Sequence, residues 1–89
     1  MKIQFESYLK TKGYKETTPS GNPSTVYDYI KRIDRVCDDE NMTWEELANN
    51  IEQIVLEYSS GGRKEEQGKV SHNAVINALK RFREFVQKS

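Results

Sequence analysis

Ser71-His72-Asn73-Ala74-Val75-Ile76-Asn77-Ala78-Leu79-Lys80-Arg81-Phe82-Arg83-Glu84-Phe85-Val86 is the stretch that decides the fold. At about 100° per residue, Val75, Ala78, Leu79, Phe82, Phe85 and Val86 fall on one face. Asn73, Asn77, Lys80 and Glu84 align on the opposite face, with Arg81 at its flank. The spacing predicts an amphipathic helix over residues 71 to 88, with Ser71 as its cap and His72 exposed in its first turn. A face this apolar must be covered by other elements, and the same period recurs upstream.

Working back along the chain, Trp44, Leu47, Ala48, Ile51, Ile54, Val55 and Tyr58 form a broad stripe. Thr43-Trp44-Glu45-Glu46 opens it as a capping box, and Ser59-Ser60-Gly61-Gly62 closes it. Before it, Val26, Tyr29, Ile30, Ile33, Val36 and Cys37 share a face over residues 24 to 40, behind a Ser24 cap. Lys31 and Arg35 lie opposite that face, Arg32 and Tyr27 at its edges, and Asp28 is spaced to pair with Arg32. Residues 2 to 12 place Phe5, Tyr8 and Leu9 together and end at Gly13. Thr17-Thr18-Pro19-Ser20-Gly21-Asn22-Pro23 and Arg63-Lys64-Glu65-Glu66-Gln67-Gly68 read as polar loops. No strand-like alternation and no internal repeat occurs. The expectation is an all-α, four-helix bundle, one domain over 1–89, with Phe5, Val26, Ile30, Ile33, Trp44, Leu47, Ile51, Val55, Val75, Leu79, Phe82 and Phe85 in a common core.

The charges cancel in sum but not along the chain. Residues 1–35 carry a net +3, residues 36–60 a net −7 with no Lys or Arg, and residues 61–89 a net +4. If both basic segments lie on one side with the acidic one behind, a neutral molecule approaches a polyanion face-on. The pI near 6.6 is unlike that of a simple, strongly basic nucleic-acid binder. Cys37 is the only cysteine, which excludes an intramolecular disulfide and a cysteine zinc site and fits a reduced, cytoplasmic setting. No apolar run is long enough to span a bilayer, and the start lacks a signal-peptide core.

A catalytic constellation is not expected. His72 is the sole histidine, and the glycines at 61, 62 and 68 lack the lysine and hydroxyl spacing of a phosphate-cradling loop. Asp38-Asp39-Glu40 reads as a solvated helix end rather than a calcium loop. No cofactor or metal is expected. The informative residues are Asn73, Asn77 and Lys80. Asparagine can pair with an adenine edge, and lysine can reach guanine or phosphate. Ser24-Thr25 and Ser71-His72-Asn73 add polar groups at helix starts, where phosphates are readily anchored.

Two stretches resemble the N-terminal core-binding, SAM-like domain of the tyrosine recombinase (phage integrase) family. One is Ser24-Thr25-Val26-Tyr27-Asp28-Tyr29-Ile30-Lys31-Arg32-Ile33, similar to the family's hydroxyl, tyrosine and basic pair inside its second helix. The other is the stretch from Ser71 to Val86, where a hydroxyl cap leads to an Ala-Leu-basic-basic-Phe core and a second aromatic. Phe5-Glu6-Ser7-Tyr8-Leu9 resembles the family's first helix. The resemblance implies an orthogonal SAM-like bundle that forms half of a DNA clamp, in a protein of DNA integration and recombination. It puts Ser24, Thr25, Lys31, Arg32 and Arg35 of the second helix against duplex DNA, with Ser71, His72, Asn73, Asn77, Lys80 and Arg81 of the fourth. The family's catalytic domain does not fit in this length, so the expectation is a non-catalytic DNA-binding domain. It would bind duplex DNA weakly alone, beside a recombinase catalytic domain or another protein, and no membrane. The rival is a small protein-interaction module of a mobile element, acting through its acidic third helix, such as an inhibitor of a nucleic-acid enzyme. A third reading is a piece of structure without activity of its own.

Overall fold

The computed structural model describes residues 1–15, 19–21 and 24–88. The described residues are all-helical, with six helices and no strand: α1 (Lys2–Thr11), α2 (Thr25–Glu40), α3 (Trp44–Asn49), α4 (Ile51–Tyr58), α5 (Glu65–Gly68) and α6 (Val70–Lys88). Within the first predicted loop, Pro19, Ser20 and Gly21 are exposed, while Thr17, Thr18, Asn22 and Pro23 lie outside the described residues.

Helix ends follow local chemistry. Past α1, Gly13 takes φ +97°, Tyr14 N–H bonds to Leu9 C=O at 3.1 Å and Gly13 N–H to Lys10 C=O at 3.0 Å, a Schellman closure. α2 ends the same way through left-handed Asn41, with Met42 N–H on Cys37 C=O at 3.0 Å. The capping box before α3 is complete: Glu46 N–H donates to Thr43 Oγ1 at 3.1 Å, and Thr43 N–H to Glu46 Oε1 at 2.9 Å. Ser24 precedes α2 in extended geometry, but its side chain makes no capping hydrogen bond, contrary to expectation.

Three further features depart from the sequence reading. The predicted third helix divides at Asn50 (φ −114°, ψ 15°), whose side-chain amide donates to Glu46 C=O at 2.8 Å and competes with regular helix. The predicted loop before α6 contains the short helix α5. Ser71, His72 and Asn73 are not the capped first turn of a right-handed helix. All three take left-handed φ/ψ, with φ of 56°, 59° and 69°, and regular α6 runs from Ala74. Their turn connects two fixed points: Gly68, pressed against the Tyr58 carbonyl, and Val75 with Ile76 in the core. Histidine and asparagine tolerate this backbone region better than most residues.

α6 is the central element, packed most extensively against α2 and then α4. The buried core takes Phe5 and Leu9 from α1, Val26, Ile33, Val36 and Cys37 from α2, and Leu47, Ile51, Ile54, Val55 and Tyr58 from α3 and α4. From α6 come Val75, Ile76, Ala78, Leu79 and Phe82. Ile30, Trp44 and Phe85, expected inside, pack against this core while partly buried. Cys37 is only 6% exposed, and burial, with Asp34 and Asp38 nearby, pushes its thiol up to about 11. Above pH 9 the unfolded thiol ionises while the folded one keeps its proton, so stability should fall between pH 9 and about 11. The slope for one proton is about 1.4 kcal/mol per pH unit. Urea denaturation across this range should show the decline, and Cys37→Ala should flatten it; an equal slope in the variant would remove Cys37 as its source.

Candidate nucleic-acid interface

On α2, Lys31 and Arg35 point to solvent as the stripe predicts, Arg35 being 75% exposed at its side chain. Arg35 Nε donates to Asp39 Oδ1 at 3.2 Å, and Arg32 lies 3.6 Å from Asp28 with its Nε buried and without a hydrogen-bond partner. Lys31, Arg32 and Arg35 line one depression, but Asp34 and Asp38 line it too. Ser24 and Thr25 are half-buried at the start of the helix. Among the α2 cations, Lys31 alone makes no ion pair with the described residues.

On α6, Asn77 and Lys80 are exposed, and so are Ser71, His72 and Asn73 on the left-handed turn. Asn73, Asn77 and Lys80 line one cleft, walled on its far side by Ser59 and Ser60 after α4 and by Glu65 and Lys69 around α5. Arg81 belongs elsewhere. It is half-buried and paired with Glu84, which also accepts from the Tyr8 hydroxyl at 3.1 Å. Burial would push the Glu84 carboxyl up; the hydrogen bonds from Arg81 and Tyr8 outweigh it and hold the group below the usual carboxylate range. The link from α6 to α1 is the Tyr8–Glu84 bond, and Arg81 holds the carboxylate that accepts it. Of the eleven residues expected at DNA, the structure gathers Asn73, Asn77 and Lys80 at one cleft and Lys31, Arg32 and Arg35 at another.

The charge separation along the chain is partly neutralised in space. Lys64 and Arg63 pair with Glu40 and Glu57, Arg83 stands 3.7 Å from Glu52, and Lys2 is 3.1 Å from Asp34. The last basic segment wraps the acidic middle instead of standing apart from it. Arg63 holds Glu57 below its ordinary carboxylate range. The Glu40 pair sits on the buried Tyr58, whose hydroxyl donates to Glu40 at 2.9 Å; burial first, then that carboxylate, push the phenol well up. The exposed members of such pairs bind each other weakly and can exchange a carboxylate for a phosphate.

The sequence reading gives Lys69, Ser59 and Ser60 no site role; Ser59 and Ser60 enter it only as a helix stop. Nothing in their local pattern marks them, because α5 and the turn after α4 bring them to α6 only in three dimensions. Among the described residues, no group of three or more His, Cys, Asp or Glu could hold a metal ion, and no helix is long and apolar enough to cross a membrane. The fold and this surface define an all-helical domain with a polar strip on its central helix. No protein-family model, no curated protein and no solved structure matches the chain.

Proposed function

We propose that this domain binds duplex DNA without catalysing a reaction, in the manner of the core-binding domain of a tyrosine recombinase. In this reading α1, α2, the α3–α4 pair and α6 correspond to the four helices of a SAM-like orthogonal bundle, and α2 and α6 face the duplex. One observation carries it. Asn73, Asn77 and Lys80 stand together on the outer side of the central helix, and their side chains make no hydrogen bond or ion pair to the described residues. Lysine supplies a phosphate contact, and the asparagine amides suit base edges. Lys31 and Arg35 on α2 add phosphate contacts from a second helix. The family resemblance of both stretches supports the same reading.

The isolated domain has few unpaired cations, so its affinity for a duplex is expected to be about micromolar or weaker at physiological salt. Fluorescence anisotropy with a labelled duplex should show binding at low ionic strength that falls as salt rises. Lys31→Ala should weaken binding to all sequences alike and lower the salt slope by about one. Asn77→Ala separates the two roles open to its amide: a relaxed preference within a site selected from a random pool, with non-specific binding intact, marks a base contact, and equal weakening on every duplex marks a phosphate contact. Folded protein that fails to bind any duplex at low salt would end this reading.

A second reading has an observation of its own. Leu56 on α4 is 66% exposed and lines a depression with Gln53, Glu57 and the 60–63 turn. An exposed apolar side chain in such a depression suits a protein partner, as in a module that inhibits a nucleic-acid enzyme.

A further inference from the structure

The cleft between the end of α4 and α6 holds a donor set with no internal use. Its volume is about 190 Å³, room for a tetrahedral oxyanion and a few waters of about 30 Å³ each. Tyr58 and the buried Ile76 supply its apolar lining. The Ser60 hydroxyl, the Asn73 and Asn77 amides and the Lys80 ammonium line it, and none has a hydrogen bond or ion pair to the described residues. These groups come from two separate segments, so their convergence is a product of the tertiary fold and not of one helical face.

One carboxylate lines the same cleft, and its charge is already answered. Glu65 pairs with Lys69 at 2.7 Å and accepts from Gly61 N–H at 3.2 Å. The Lys69 hydrogen bond and then the Gly61 amide hold its carboxyl below the ordinary range. What remains is a surplus of donors and the positive charge of Lys80. Among common ligand groups, a phosphate offers acceptor oxygens and negative charge in a matching size.

We infer that this cleft is a phosphate-binding subsite, formed by Ser60, Asn73, Asn77 and Lys80 with Lys69 at its rim. The inference deepens the DNA reading and rests on it only for the source of the phosphate, a backbone phosphodiester as against a free phosphate group. Lys80 supplies the charge, the two amides and the hydroxyl fix orientation, and Glu65 limits affinity by occupying Lys69.

The test is a two-dimensional amide NMR titration of the whole chain with inorganic phosphate, at constant pH and ionic strength. Saturable shifts should concentrate at Ser60, Asn73, Asn77 and Lys80, including the side-chain amides. Lys80→Gln, an exposed change that spares the core, should weaken phosphate binding about tenfold. Glu65→Gln should tighten it about two- to fivefold by releasing Lys69, an opposite sign that a merely structural effect would not produce. Lys15→Gln, on an exposed lysine away from the cleft, should change nothing. A short duplex is then added. Duplex that displaces phosphate from the cleft identifies the phosphodiester as the source. Phosphate binding with no duplex binding keeps the subsite, assigns it to a free phosphate group and ends the DNA reading. Duplex binding with the cleft signals unmoved and no phosphate response overturns the subsite and leaves the DNA reading standing. Shifts spread over all lysines, insensitive to Lys80→Gln, also overturn it.

Discussion

Phe82→Ala should cost about 3–5 kcal/mol, the usual penalty for emptying a fully buried phenylalanine site. The ring has no exposed surface. It meets Phe5 edge-on at 5.2 Å and Trp44 edge-on at 5.4 Å, and Phe85 at 6.0 Å. These rings come from α1, α3 and α6, so the cavity would open where three helices meet and could not close by a local shift. A domain of this size holds only about 4–13 kcal/mol in total. The expected outcome is a melting midpoint lowered by at least ~12 °C, or no cooperative transition at all. Trp44 fluorescence is the natural probe, since its indole forms one wall of the site and donates Nε1–H to Asp34 at 2.8 Å. A shift of a degree or two would mean that the aromatic cluster is not the centre of the core.

That cluster was visible in the sequence because burial on a helix has a period. Val75, Leu79 and Phe82 are buried where the 3.6-residue pattern puts them, and Thr43 with Glu46 forms the cap their spacing predicts. The misreadings occur where one local rule overrides the period. Asn50 interrupts an unbroken apolar stripe because its side chain can satisfy the carbonyl of Glu46. Ser71 looks like a cap because serine before an apolar run usually is one. Here the chain must first clear Gly68 at Tyr58, and the left-handed turn does so at about 1–2 kcal/mol for each residue in that region. No residue within the turn announces this; the cause lies in an α4 carbonyl.

The candidate interface was less legible than the fold, for a different reason. Outward position on a helix follows from the period, so Lys31, Asn77 and Lys80 were found correctly as exposed. Whether an outward charge is available depends on partners distant in sequence. The family resemblance puts Arg81 at DNA; in the structure it pairs with Glu84, which Tyr8 of α1 also reaches across 76 residues of chain. Lys64 and Glu40, 24 residues apart, meet over the Tyr58 ring. Net charge by segment is therefore only an upper bound on the surface field, because the same long cationic side chains that make a segment basic can fold back onto its acidic neighbour.

Gly68→Ala should also be strongly destabilising, and it probes the part of the molecule that the sequence read as a simple loop. A Cβ built on Gly68 would stand 2.0 Å from the Tyr58 carbonyl oxygen and 3.1 Å from its carbon. The obstacle is backbone at the end of α4, which no rotamer change can move aside. Relief requires α5 to lift from α4 by about an ångström or more, and α5 is tied there on both sides. Lys64, at its start, pairs with Glu40 and lies over the buried Tyr58 ring at 5.6 Å; beyond Gly68, the left-handed turn leads straight into Val75 and Ile76. Overpacking of this kind costs typically about 1–3 kcal/mol and occasionally more. The upper part of that range is expected here, offset only slightly by alanine's better helix propensity. Gln67→Ala, one residue earlier and exposed, should leave stability within about 0.5 kcal/mol of the parent. Because Lys69 follows directly and Asn73 five residues on, Gly68→Ala should also disturb the cleft: phosphate affinity should fall even in the molecules that remain folded. A Gly68→Ala protein with parental melting and parental phosphate shifts would show that α5 does not rest against α4, and the cleft built on that contact would lose one of its walls.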